Sequence, residues 1–170
     1  IEYKNHLIYS ERPGIHAIKL AENSGELSGN SNNIKTIGEP FKILEDVEAK
    51  MFAIDPVSNS LFVSTFAPGL LRIDLIDEQW QSTVIDGTND YLDGLEIDDN
   101  GVIWVGTSTQ ELYRIENAQF DDKPTKVEKF TELPPNNVFP FKLSTGVVFG
   151  TDNGWMEYAA LRKPPMDAVD

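Results

Sequence analysis

Short stretches of the chain alternate apolar and polar residues with a period of two, and turn residues separate them. Around one such turn, Phe52 and Ile54 are followed by Leu61 and Val63. The same arrangement returns at positions 95, 97, 103 and 105. Period-two alternation rich in β-branched and aromatic residues is typical of β-strands. The pattern therefore predicts an all-β fold, with strands at 61–65, 70–74, 103–107, 112–115 and 147–150.

The alternating segments belong to a unit that recurs along the chain. Thr65 is followed by Thr107 after 42 residues and by Thr151 after a further 44. A weaker copy near the start of the chain shares a Pro-Gly turn with the second unit. Recurrence at this spacing predicts a single segment made of four units, at approximately 1–45, 46–88, 89–132 and 133–170.

A period of 42–44 residues, divided into short strands, is typical of four-stranded propeller blades. One small sheet cannot bury both of its faces, whereas a stack of sheets can. The glycines of "VGT" and "FGT", Gly106 and Gly150, fit such stacking because a residue without Cβ lets neighbouring backbone come close. We therefore predict β-propeller blades, about 3.5 to 4 of them, as part of a larger or assembled ring. The alternative is a β-sandwich with similar strands, and a turn of helix is possible at 46–50.

Composition and charge exclude several classes of function. The 170 residues include 28 acidic and 14 basic side chains, a formal net charge of −14. This charge disfavours nucleic acids and anionic membrane surfaces as partners. The chain has no cysteine, which excludes disulfides, thiol nucleophiles and zinc–thiolate sites. No apolar run approaches the roughly 18 residues that span a bilayer, and the first residues do not resemble a signal peptide.

Two segments, "YLDGLEIDDNGVIWVGTSTQELYRI" and "LPPNNVFPFKLSTGVVFGTDNGWMEY", resemble the two-component regulator propeller repeat. That repeat has an Asp-x-x-Gly turn, a strand ending in Trp-Ile/Val-Gly-Thr, a Gly turn and an aromatic-Arg strand. The residues that match in the first segment are Asp98, Gly101, Trp104, Gly106, Thr107, Tyr113 and Arg114. Trp155 and Glu157 depart from the usual Leu-Tyr-Arg, and Ser64 replaces the glycine in an earlier copy. The resemblance covers roughly residues 46–159.

This resemblance implies a non-enzymatic sensor module that binds a small molecule or a protein. Members of the family are usually sensor regions of bacterial histidine kinases or diguanylate cyclases, placed outside the inner membrane. It therefore implies a periplasmic or extracellular location, no cofactor and no catalytic residue. It also implies self-association or pairing with the rest of a larger propeller. A second alternative is a scaffold for protein–protein interaction.

A weaker similarity concerns "YLDGLEID", which is similar to a metal-binding strand end in gluconolactonase and senescence-marker propellers. In that reading Asp93 would bind a calcium ion, and the chain would be a fragment of a calcium-dependent lactonase or esterase. A divalent cation needs several convergent oxygen ligands. One repeat upstream, where those enzymes have Asn-Gly, this chain has Ala49 and Lys50. A lysine would repel the ion, so we predict no metal site and keep Asp93 as the alternative.

The three tryptophans divide into two groups. Trp104 shares a repeat position with Phe62 and Val148, which predicts a place in the core. Trp80 and Trp155 do not align with repeated apolar positions. An exposed tryptophan on the rim of a propeller can stack on a sugar or a peptide, because large aromatic side chains are favoured at binding surfaces. Trp155 and Trp80 are therefore the candidate ligand-binding residues.

Overall fold

The computed structural model describes residues 1–21, 36–88, 91–131, 133, 138–144, 146–151 and 154–157. Within these ranges the chain forms fifteen β-strands and no helix, arranged as four antiparallel sheets. The prediction of an all-β fold is confirmed. Four separate sheets also differ from the two sheets of a β-sandwich. Each sheet falls inside one predicted repeat unit, and residues 158–170 of the last unit lie outside the described ranges.

Every sheet is a meander in which strands consecutive along the chain are hydrogen-bonded neighbours. The first sheet contains β1 (Glu2–Tyr3), β2 (His6–Ser10), β3 (Gly14–Leu20) and β4 (Thr36–Glu45). The second contains β5 (Ala49–Ile54), β6 (Leu61–Thr65), β7 (Leu70–Ile76) and β8 (Gln79–Val84). The third contains β9 (Leu92–Ile97), β10 (Ile103–Thr107), β11 (Leu112–Glu116) and β12 (Lys126–Phe130). The described part of the fourth contains β13 (Phe139–Leu143), β14 (Gly146–Thr151) and β15 (Gly154–Glu157).

The predicted strands agree with the observed ones to within two residues at each end. The expectation of a helical turn at 46–50 is wrong. Asp46 has a positive φ of 54°, and the strand β5 already begins at Ala49. The chain makes only a short bend here, because it passes directly from the last strand of one sheet to the first strand of the next.

The recurring threonine closes the hairpin turn that follows it. Thr65 Oγ1 donates to the carbonyl oxygen of Gly69 at 2.6 Å and accepts from its N–H at 3.1 Å. Thr107 Oγ1 makes the same pair of bonds with the backbone of Glu111, at 3.2 Å and 3.1 Å. Thr151 donates to a carbonyl oxygen across its own turn at 3.0 Å. The threonine thus recurs because the turn needs a hydroxyl that both donates and accepts.

The recurring aspartate organises the other turn of the repeat. The carboxylate of Asp55 accepts a 2.8 Å bond from the N–H of Ser58. The carboxylate of Asp98 accepts a 2.9 Å bond from the N–H of Asn100, and Gly101 completes that turn with a positive φ of 78°. Asp side chains favour turns because they bond to backbone N–H groups two or three residues on. These aspartates therefore have local structural roles.

Consecutive sheets pack face to face through three apolar clusters, each of which combines residues of two neighbouring sheets. The first and second sheets share the cluster of Ile8, Ile15, Ala17, Leu61, Val63, Leu71 and Ile73. The second and third share Phe62, Leu70, Leu95, Ile103, Val105 and Tyr113. The third and fourth share Trp104, Leu112, Val138 and Phe149. Among the described residues the four sheets follow one another without closing into a ring.

Candidate functional site

Trp80 lies in β8, at the edge of the second sheet, directly opposite Leu75 of β7. Its side chain is half-buried because it leans toward the first sheet. The centroid of its ring system lies 5.4 Å from that of His6, at an interplanar angle of 82°. The rings of Tyr3 and Phe41 lie 6.1 Å and 6.4 Å away. Trp80 is therefore the second-sheet member of an aromatic group that spans two sheets.

Three of these rings, those of Trp80, His6 and Phe41, border a groove of about 570 Å³ between the first and second sheets. We call it the Trp80 groove; it is lined by Lys4, Asn5, His6, Lys19, Phe41, Leu75, Glu78 and Trp80. Small-molecule sites in proteins typically have volumes of roughly 300–1,000 Å³. The groove is therefore large enough for a ligand of one or a few rings.

Two tight hairpin turns contribute side chains to the lining of the Trp80 groove. Lys4 and Asn5 join β1 to β2, and Asp77 and Glu78 join β7 to β8. All four have positive φ, between 44° and 62°, which is the conformation of two-residue type I′ hairpins. Lys4 Nζ reaches across and donates a 3.1 Å bond to the carbonyl oxygen of Leu75. This bond ties the hairpin of one sheet to the hairpin of the other.

His6 has a defined tautomer when its ring is neutral. Its Nδ1 lies 2.8 Å from the carbonyl oxygen of Lys4. A carbonyl oxygen can only accept a hydrogen bond, so Nδ1 carries the proton. Nε2 is then the acceptor of the neutral ring. The imidazole can consequently accept a hydrogen bond from a ligand hydroxyl through Nε2, whereas the protonated ring would donate one.

The lining of the Trp80 groove has more cationic than anionic side chains. Lys4 and Lys19 contribute two ammonium groups, and Glu78 contributes one carboxylate. The rest of the chain has the opposite balance, since the net charge is −14. Lys4 uses one of its three N–H donors on Leu75, and its ammonium group also interacts with Tyr3. The groove therefore suits a ligand that offers a flat apolar face to the rings and an anionic group to the lysines.

Trp155, the other candidate from the sequence, lies on the fourth sheet and not in the Trp80 groove. Its side chain is 70% exposed, and its ring system contacts that of Phe141 edge-on, with centroids 5.4 Å apart. The structure thus does not bring the two candidate tryptophans into one site. Trp155 belongs to an exposed sheet face, which is a surface for a broad contact.

The strand register corrects the expectation that Trp155 falls outside the repeated apolar positions. Trp155 lies opposite Gly150 in the pairing of β14 with β15. In the third and second sheets the same register position holds Leu112 and Leu70. The sequence alignment missed this because the turn before β15 is shorter than the turns before β11 and β7.

Asp93 is half-buried within the strand β9 and does not begin a turn. Among the described residues, no three His, Asp or Glu side chains lie close enough together to hold a metal ion. Lys50 is occupied elsewhere, with Nζ 3.7 Å from the centroid of the Phe66 ring and 3.4 Å from a carboxylate oxygen of Glu48. The structure therefore adds no ligand to Asp93, and the calcium alternative stays a prediction.

The sequence names Trp80 as a candidate ligand-binding residue but does not indicate the side chains that surround it. Lys4, His6, Lys19 and Phe41 belong to the first sheet, far from Trp80 along the chain. The available signal was the pair of two-residue turns between strands, which places polar residues at hairpin tips. Which tips meet depends on how two sheets pack, and no local pattern contains that information.

A scan against protein-family models finds no family that matches this chain, and a search of curated proteins finds none with a similar sequence. Within the described ranges there is no helix of the length and apolar character needed to cross a membrane. Because no family match indicates a role, the proposed function rests on the geometry of the Trp80 groove.

Proposed function

We propose that this chain is a segment of a β-propeller and serves as a non-enzymatic ligand-binding module of a bacterial sensor. Support for the propeller comes from four antiparallel meanders that pack face to face in chain order. Support for a sensor comes from the resemblance to the two-component regulator propeller repeat. In that setting the module lies outside the inner membrane and passes a binding event to an output domain.

The half-buried indole of Trp80 in its groove is the observation on which the binding role rests. A large aromatic side chain beside a groove gives a ligand ring a surface on which to stack. His6 and Phe41 add two more ring systems on the first-sheet side. The ligand therefore contacts two sheets at once, so its binding stabilises their packing. A sensor needs such a link between occupancy and structure.

An acidic sugar matches this lining best among small ligands. The apolar face of a pyranose ring stacks on Trp80, and its hydroxyls exchange hydrogen bonds with Asn5 and Glu78. Its carboxylate is bound by the ammonium groups of Lys4 and Lys19, since hydrogen bonds between ionised groups are stronger than neutral ones. The aromatic stacking surface and the two ammonium groups support binding as the role of the groove.

Isothermal titration calorimetry with uronic acids and matched neutral sugars tests this proposal. We expect glucuronate and galacturonate saccharides to bind, and glucose and galactose to bind more weakly. Trp80→Ala should weaken uronate binding by about tenfold or more, the effect of losing one important contact. Trp155→Ala is the matched control, because it removes a tryptophan outside the groove and should leave the affinity unchanged. Equal affinities of the wild type and Trp80→Ala would refute the site.

Lysine variants test the choice of an acidic ligand separately from the site itself. Lys4→Gln and Lys19→Gln should reduce the affinity for uronates while leaving the weak binding of neutral sugars unchanged. Raising the salt concentration should have the same effect, because salt screens exposed charges. A preference for uronates that survives both substitutions would show that the lysines do not read the carboxylate.

A further inference from the structure

The strand register defines which positions of each sheet face the next sheet in the chain. In the two central strands of a sheet, the apolar residues at these positions are at most 4% exposed where a next sheet covers them, as at Phe62, Leu70, Trp104 and Leu112. The equivalent residues of the fourth sheet are Val148 and Trp155. Val148 is half-buried and Trp155 is 70% exposed. The third sheet covers this face of the second sheet, and the fourth sheet covers this face of the third. Among the described residues, no sheet covers the same face of the fourth.

Two more large apolar side chains extend the uncovered surface of the fourth sheet. Phe141 pairs with Val148 across the strands and is 44% exposed, and Leu143, two residues further on, is 50% exposed. Side chains two residues apart in a strand lie on the same face. We call Phe141, Leu143, Val148 and Trp155 the Trp155 face. Its large apolar side chains are of the kind that the second and third sheets bury against the next sheet, but here they are exposed or only half-buried.

The first sheet has the complementary surface at the other end of the stack. The positions that face the preceding sheet are at most 3% exposed in the second and third sheets: Leu61, Val63, Leu71, Ile73, Ile103, Val105, Tyr113 and Ile115. In the first sheet the same register holds Leu7, Tyr9, His16 and Ile18, all of them half-buried. The rings of Tyr9 and His16 stack with centroids 5.6 Å apart. We call these four residues the Tyr9 face.

We infer that the Trp155 face of one copy of this chain packs on the Tyr9 face of a second copy. Inside the chain, each of the three contacts between consecutive sheets joins these same two kinds of position. A second copy presents both faces, so it continues the stack by contacts that the chain already uses three times. This partner is independent of the ligand proposed for the Trp80 groove.

The contact is heterologous, since two different surfaces meet, and such contacts are satisfied when the assembly closes. Two copies bring eight sheets together, given four in each chain. Closed propellers typically have 4–8 blades. A dimer in which both pairs of faces meet is therefore the smallest assembly that leaves neither face uncovered.

The negative charge of each copy predicts how association of the dimer depends on salt concentration. The eight named residues of the two faces include no acidic side chain, but Glu2 lies opposite Leu7 in the strand pairing and Glu157 lies opposite Val148. Each copy also has a net charge of −14. Repulsion between the copies opposes association, and salt shortens its range to about 8 Å at physiological ionic strength. The apolar contact itself is not weakened by moderate salt. Association should therefore strengthen as salt is added, opposite to the effect expected for uronate binding.

Analytical ultracentrifugation of the full chain and single-face variants tests the proposal. The wild type should approach twice its 19.0 kDa mass with rising concentration, more readily at high salt. Trp155→Asp and Tyr9→Asp should each sediment at 19.0 kDa at concentrations where the wild type is dimeric. Ile76→Asp is the matched control, since Ile76 is 47% exposed but lies on the second sheet, away from both faces. Circular dichroism confirms that each variant retains its strands.

Mixing the two defective variants distinguishes the proposed pairing from contact between identical faces. Trp155→Asp retains an intact Tyr9 face, and Tyr9→Asp retains an intact Trp155 face. Their mixture should therefore form a dimer through one intact contact, although neither variant does so alone. A mixture that stays at 19.0 kDa, or one variant that still dimerises alone, would overturn the heterologous arrangement. A wild-type mass of 19.0 kDa at every concentration and salt level would overturn self-association and leave the faces to a different partner.

Discussion

Gly106 lies against the backbone of Val138, so that a Cβ added to Gly106 would be 1.6 Å from the Val138 carbonyl oxygen. Gly106 belongs to β10 of the third sheet, and Val138 immediately precedes β13 of the fourth. The glycine is required by this close approach of two sheets, as the Gly-Thr motif predicts. It is not required by a left-handed backbone, since its φ lies outside that region.

Gly106→Ala should destabilise the protein, because the added methyl group forces the backbone of the fourth sheet away from the third. Overpacking of this kind typically costs about 1–3 kcal/mol, and a backbone obstacle places it at the upper end. Gly150→Ala, measured at concentrations where the chain is monomeric, is the matched control at the same repeat position. Its Cβ would lie 2.9 Å from the ring of Phe141, which is 44% exposed and can rotate, whereas the nearest backbone atom, the carbonyl oxygen of Phe139, would be at an ordinary contact distance of 3.8 Å. Urea unfolding should show a clearly larger loss of unfolding free energy for Gly106→Ala than for Gly150→Ala. Equal losses would contradict the role of Gly106 in the close approach of the third and fourth sheets.

Arg72 connects the second sheet to the third and should be important for stability. It is 8% exposed, donates a 3.1 Å bond from Nη1 to the carbonyl oxygen of Ala118, and lies 2.5 Å from Asp121 through Nη2. Its Nε also lies 2.9 Å from a carboxylate oxygen of Asp74, but the N–H does not point at that oxygen, so this contact is an ion pair without a hydrogen bond.

Arg72→Met keeps the apolar stem and removes these bonds, which should lower the free energy of unfolding by roughly 1.5–3 kcal/mol. The comparison is Arg12→Met, which breaks a 2.6 Å ion pair with Glu48. The Arg12 side chain is 73% exposed, and surface ion pairs contribute only about 0–1 kcal/mol. Thermal and urea denaturation measure the loss of stability in each of the two variants. A larger loss of unfolding free energy for Arg12→Met than for Arg72→Met would show that the buried hydrogen bonds of Arg72 do not stabilise the packing of the two sheets.

Trp104 and Trp155 should differ strongly in their contribution to stability. Trp104 is 4% exposed, and its ring centroid lies 5.0 Å from that of Phe149 in the fourth sheet. Truncating a large buried aromatic side chain costs about 3–5 kcal/mol, a large part of the roughly 5–15 kcal/mol that stabilises a domain. Trp155→Ala should cost less than about 1 kcal/mol at concentrations where the chain is monomeric. Equal melting temperatures would contradict the core position of Trp104.

Stability should fall at alkaline pH, in part through Tyr3. Burial raises the pKa of the Tyr3 phenol above its ordinary value of 10.0. The unfolded chain therefore loses this proton first, and ionisation favours unfolding as the pH rises above about 10. Tyr3→Phe cannot ionise, so its free energy of unfolding should decline less between pH 9 and 11, measured by urea titration relative to pH 8 for each protein. A decline identical to that of the wild type would show that Tyr3 does not contribute.

The strands and turns of this chain could be predicted because their causes are local. Period-two alternation specified the strands around Leu61 and Ile103, and the recurring Thr and Asp specified the turns that they bond. The prediction of a helical turn at 46–50 is wrong, because Ala49 pairs with Thr65 across β5 and β6. This strand pairing outweighs the helix propensity of a few neighbouring residues.

The sequence by itself determined the all-β class, the spacing of the units and the buried place of Trp104, because alternation and repetition are properties of neighbouring residues. Only the tertiary structure decided that Trp80 faces His6 and Phe41, and that Trp155 lies on an uncovered face. Those relations depend on how whole sheets stack, which sums many weak apolar contacts between residues distant in the chain. The repeat therefore specified each sheet, and the packing of one sheet on the next created the groove and the two open faces.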